Sequence, residues 1–130
     1  MADKKPPIDP QLVMAMVRNS HGNLDKVKEL LAQEPALVNA AWDWGGGDWE
    51  TALGASAHTG NKAIATLLLD HGARMDVFAA AMLGKEKLVR EMIADDARLK
   101  TARGPHGIPL IDHAKAGGDE AKGVLALIES

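Results

Sequence analysis

Four times along the chain a glycine is followed by a polar residue and then by apolar residues at helical spacing: GNLDKVKELL from Gly22, GNKAIATLLL from Gly60, GKEKLVREMI from Gly84 and GGDEAKGVLA from Gly117. An internal repeat restricts the fold more than any other feature, because a unit too small to bury its own apolar face must stack on its neighbours. Eight and nine residues after each glycine stand Leu30 and Leu31, Leu68 and Leu69, Met92 and Ile93, and Leu125 and Ala126. This spacing predicts four amphipathic helices, each burying one stripe.

A second, shorter helix is predicted upstream of each glycine, in LVMAMV (12–17), TALGASA (51–57), DVFAAAM (76–82) and IPLIDHA (108–114). Their small apolar residues suit helices pressed between neighbours. Asp9 before Pro10, Thr51 before Ala52 and Asp76 before Val77 are candidate N-caps, and Gly72 follows LLLDH where a left-handed C-cap belongs. The intervals between the glycines differ: Gly84 to Gly117 is 33 residues, Gly22 to Gly60 is 38, and Gly60 to Gly84 is 24. The long interval holds WDWGGGDWET (42–51) as extra chain, and the short one has lost about a hairpin.

A period of 33 with paired helices resembles the ankyrin repeat. The second unit carries the resemblance best, with Thr51 and Leu53 of the Thr-Pro-Leu-His tetrapeptide, then Ala57, Gly60, Leu67 to Leu69, and Gly72-Ala73. The fourth keeps Pro109, Leu110 and Gly117. The resemblance implies an all-α, ankyrin-like helical solenoid of about four helix-turn-helix units with short or missing hairpins, at roughly 9–40, 41–74, 75–103 and 104–130, behind a flexible tail of residues 1–8. The chain departs from the family at the tetrapeptide histidine, which is replaced by Gly54, Phe78 and Ile111, so the bonds that histidine makes between units are not expected.

Ankyrin modules hold protein partners along the hairpin tips and the inner faces of the short helices. Carried over by position, this implies a partner surface of Trp42, Asp43, Trp44, Asp48 and Trp49 at the first hairpin, continued by His58 and, in the same register one unit later, Met82. Large rigid rings give much contact area for little lost entropy, which makes Trp42 and Trp44 the expected anchors. Trp49, His58, Phe78 and Met82 are their expected neighbours; of the tryptophans Trp49, nearest the second unit, is the one expected to be most structural, and the alternative for Phe78 is the core. The resulting expectation is a monomeric, non-enzymatic protein-interaction module. The alternatives are a small-ligand binder using the tryptophan and glycine loop 42–49, or a self-associating structural unit.

The remaining features exclude more than they assign. Net charge is −3 with both signs mixed along the chain, so no basic face offers itself to nucleic acid. The N-terminus MADKKPPIDP has no apolar core for a signal peptide, no run approaches the length of a membrane span, and the absence of cysteine suits a reducing compartment, so a cytoplasmic location is expected. No nucleophile elbow, phosphate loop or His-Glu-x-x-His helix occurs. His21, His58, His71, His106 and His113 lack the close spacing of ligands on one helix, so neither a metal nor a cofactor is expected. RGPHGIP (103–109) reads as a tight turn with His106 at its tip.

Overall fold

The computed structural model describes residues 4–130; part of the expected N-terminal tail, residues 1–3, lies outside them. The helices come in pairs: α1 (Pro10–Asn19) with α2 (Leu24–Gln33), α3 (Ala52–His58) with α4 (Lys62–Asp70), α5 (Val77–Met82) with α6 (Glu86–Asp95), and α7 (Leu110–Ala116) with α8 (Lys122–Glu129). Between α2 and α3 lies an antiparallel hairpin, β1 (Ala41–Asp43) and β2 (Trp49–Thr51).

The expected caps are present. Asp9 accepts from the Gln11 amide at 2.9 Å, Thr51 from Gly54 at 2.8 Å and Asp76 from Ala79 at 2.8 Å. The polar residue after each of the first two repeat glycines is itself a cap: Asn23 accepts from the Lys26 amide and Asn61 from that of Ile64. Each satisfies an N–H that the first helical turn would leave unpaired.

The short helices form a row, α1 on α3, α3 on α5 and α5 on α7, while α2 meets α4 and α6 meets α8 on the outside. Because α3 (ALGASAH) is mostly small residues and α5 (VFAAAM) carries three consecutive alanines, their backbones approach closely, and α3 also reaches α7 directly. The turn glycines Gly60 (φ +68°) and Gly84 (φ +73°) seat against the carbonyls of Ala116 and Glu120, where no side chain would fit. The row is therefore bent until the second and fourth units touch.

Two apolar clusters make the core. The first is centred on Met16, Leu37, Ile64 and Leu68, and the second on Val89, Leu110 and Val124, with Met75 packing against both. Ile8, assigned to the flexible tail by sequence, packs on the first cluster. No hairpin follows α4: the chain turns at Gly72 (φ +96°) and enters α5 at Asp76. That omission leaves the side of the hairpin nearest α7 uncovered, and the turn 103–109 occupies it.

Candidate metal centre

In the hairpin Ala41 pairs with Thr51, Trp42 with Glu50 and Asp43 with Trp49. Gly45, Gly46 and Gly47 all have positive φ, and the carboxylate of Asp43 accepts from the amides of Gly45 and Gly47 at 2.9 Å each. The three glycines thus supply a tip that other residues would strain. Along β2 side chains alternate, exposed at Trp49, buried at Glu50 and exposed at Thr51. The inward residue is the charged one. Glu50 is 1% exposed and Trp49 63%.

A buried carboxylate must be compensated, and three histidines surround this one. His21 Nε2 stands 3.1 Å from Glu50 Oε1, His58 Nε2 2.9 Å from Oε2, and His106 Nε2 3.2 Å from Oε2. The indole N–H of Trp44 donates to Oε1 at 2.8 Å. Yet Glu50 Oε2 and His58 Nε2, both shielded from solvent, have no aligned hydrogen-bond partner among the described residues. Burial pushes the Glu50 pKa up, but the close approach of His58, the Trp44 indole and the charges of His21 and His106 outweigh it, leaving the group below its ordinary value. The carboxylate is ionised.

The outer nitrogens of two rings are fixed. His21 follows α1, and its Nδ1–H donates to the carbonyls of Val17 and Arg18 at 3.1 and 2.9 Å. His106 donates its backbone N–H to Asp48 Oδ1 and its Nδ1–H to Asp48 Oδ2, each at 2.7 Å. Burial lowers the His106 pKa, but the Asp48 bond and the charges of Glu50 and Asp48 overcome this and raise it. In both rings the proton sits on Nδ1 in the neutral form, which turns the Nε2 lone pair toward Glu50.

One donor atom from each of His21, Glu50, His58 and His106 lies within 4.8 Å of all the others. A tetrahedral ion bound at about 2.0–2.1 Å holds its donor atoms about 3.3 Å apart; His58 and His106 Nε2 stand 2.9 and 3.2 Å from Oε2, while His21 Nε2 stands 3.1 Å from Oε1, so the set is near that size and one ring must shift to share a single oxygen's shell. Imidazole nitrogen suits zinc, copper, nickel and iron, whereas magnesium and calcium prefer all-oxygen shells. Outer bonds such as Asp48 to His106 are those that orient histidine ligands.

The structure redistributes the residues expected at a partner surface. Met82 is fully buried and leaves it, because close packing of α5 between α3 and α7 turns it into the core. His58 faces Glu50 instead of solvent. Trp42 and Trp44 are partly buried against the first cluster, while Trp49, the ring of the three expected to be most structural, is the exposed one. Asp43 holds the glycine tip and Asp48 holds His106. Phe78 is partly buried with its ring 4.7 Å from that of His113. Local spacing, on which the expectation of no metal rested, does not register histidines that the stacking of units brings together. Glu50 and the convergence of His21 and His106 on it were missed; the signal was position, since the two histidines lie in turns and Glu50 in the strand that leads into α3.

The chain matches no family model, no curated protein and no solved structure with which it was compared. Among the described residues no helix is long and apolar enough to cross a membrane.

Proposed function

We propose that the chain is an ankyrin-type helical solenoid that binds one divalent transition-metal ion through His21, Glu50, His58 and His106. The observation that carries the reading is the buried Glu50, whose Oε2 has no aligned hydrogen-bond partner among the described residues while three imidazole nitrogens crowd its carboxylate. Four protein donors fill a tetrahedral shell, the arrangement of structural rather than catalytic zinc sites, so the reading includes no reaction. Support for the solenoid is the serial packing of four helix pairs with Thr51 capping α3.

The test is calorimetric titration of chelator-stripped protein with Zn²⁺. One equivalent should bind, and Glu50→Gln, which keeps the size and the acceptor for Trp44, should weaken binding by more than the roughly 10–100-fold typical of losing an outer partner. Absence of binding, or equal binding by the variant, contradicts the reading.

A second reading, protein recognition through the hairpin and the neighbouring inner helices, is favoured by the 63% exposure of Trp49 beside a shallow apolar groove lined by Ile8, Val13 and Trp42. Its test is loss, in a Trp49→Ala variant of unchanged melting temperature, of a partner that the wild-type chain retains.

A further inference from the structure

Resting on the metal-binding reading, we propose that the ion is a clasp between units that are not neighbours in sequence: its binding closes the turn 103–109 onto the hairpin 41–51 and thereby sets the tryptophan rim.

The donor set is divided. His21, Glu50 and His58 belong to the first two units and sit around the hairpin and the end of α3, whereas His106 comes from the fourth unit, 58 positions beyond Asp48. The turn reaches the hairpin only because no hairpin follows α4. Little else holds it there. No residue from Arg103 to Pro109 is buried, and its apolar purchase on the second unit is the ring of Pro105 lying over Gly54. Its other attachments to the first two units are the Asp48 bonds, the approach of His106 Nε2 to Glu50 and the His106 ring beside those of His21 and His58; the base of the turn, by contrast, is tied to its own unit by the Gly104 N–H to the Ile108 carbonyl and by Gly104 against Phe78 and His113.

His106 also adopts φ +61°, a left-handed conformation among residues of which the others are glycine. Such a backbone is strained for a residue with a side chain and persists only where contacts impose it. Exposed polar contacts such as the Asp48 bonds are individually weak, and no buried side chain of the turn adds to them. A metal–imidazole bond at Nε2 supplies what the turn lacks and holds the side chain in the one place that requires the strained backbone.

Closure passes to the rim through two bonds. Trp44 is tied to Glu50 by its indole N–H, and Asp48, which grips His106, immediately precedes Trp49. The rim that presents Trp49 is therefore bonded at both ends of the glycine tip to groups that contact the ion or orient its ligand.

The experiment is hydrogen exchange with mass spectrometry on the intact chain, stripped of metal and then loaded with Zn²⁺, with saturation fixed by calorimetry in the same buffer. The expected result is that peptides covering 101–109 and 44–50 exchange at least 10-fold faster in the stripped protein and recover on loading, while peptides from α5 and α7 do not change. Tryptic cleavage after Arg103 should follow the same pattern. A His106→Ala chain saturated with Zn²⁺ through its three remaining donors should stay unprotected at 101–109. If Zn²⁺ binds to the wild type and exchange at 101–109 is the same in both states, the clasp is overturned while the metal site stands. If His106→Ala recovers full protection on loading, the clasp is likewise overturned. If no Zn²⁺ binds, the metal reading fails and the clasp fails with it.

Discussion

Asp48 grips His106 twice across 58 positions of sequence, taking the backbone N–H on one carboxylate oxygen and the ring Nδ1–H on the other, both at 2.7 Å. The pairing fixes the tautomer and the direction of the ring in one step, leaving Nε2 to face Glu50.

Asp48→Asn removes the charge that makes this grip strong while retaining an acceptor. The affinity for Zn²⁺ should fall about 10–100-fold, as for other outer partners of histidine ligands, with one equivalent still bound. Calorimetry measures this, and an unchanged affinity means that Asp48 does not orient His106.

The three tryptophans should separate by stability. Trp49→Ala removes an exposed ring and should change the unfolding free energy by no more than about 0.5 kcal/mol. Trp42→Ala takes a partly buried ring off the first cluster and should cost about 1–3 kcal/mol, below the 3–5 kcal/mol of a fully buried aromatic. Urea unfolding compares the two; equal costs contradict the inverted alternation along β2.

Gly117→Ala tests the closeness of α5 and α7. An added Cβ would meet the carbonyl of Met82, a backbone atom that cannot swing aside. The cost should be about 3 kcal/mol, the upper end for overpacking. Gly22→Ala, where a Cβ would meet nothing, is the control and should cost far less.

His113 is buried on Phe78, with Nδ1–H donating to the Pro109 carbonyl and Nε2 unpartnered. Burial is the main cause that lowers its pKa; the nearby His58 adds to it, and the Pro109 bond opposes it. A depressed folded pKa means that the unfolded chain takes the proton first. The stability from a neutral His113 is therefore complete above the ordinary value near 6.5 and is lost as pH falls below it. Metal-free wild type should lose more stability between about pH 7.5 and 5.5 than metal-free His113→Leu, read as the shift in urea midpoint. Equal losses mean that His113 does not contribute.

The helices were legible because each advertises itself locally. The glycines that open GNLDKVKELL and GNKAIATLLL mark where a turn gives way to a helix, and Asp9, Thr51 and Asp76 mark the caps of the short helices; the capping by Asn23 and Asn61 emerged only in the structure. The missing hairpin after Gly72 was legible from the interval of 24 residues, but its consequence was not, because that depends on how far small residues in α3 and α5 let the row bend. The centre was illegible for the same reason: His21, Glu50, His58 and His106 share no helix, and only stacking joins them. Strand β2 misleads further. A rule that puts the apolar residue inside would bury Trp49 and expose Glu50, and the fold does the reverse, a breach of local pattern of the kind that marks functional positions.

Whether a single ion is held by three imidazoles and one carboxylate is decided by X-ray absorption at the zinc edge on stoichiometrically loaded protein. The account predicts a four-coordinate shell of nitrogen and oxygen at about 2.0–2.1 Å with the outer-ring scattering of three imidazoles, falling to two in His58→Ala. A shell of six oxygens, or a spectrum that His58→Ala leaves unchanged, would contradict it.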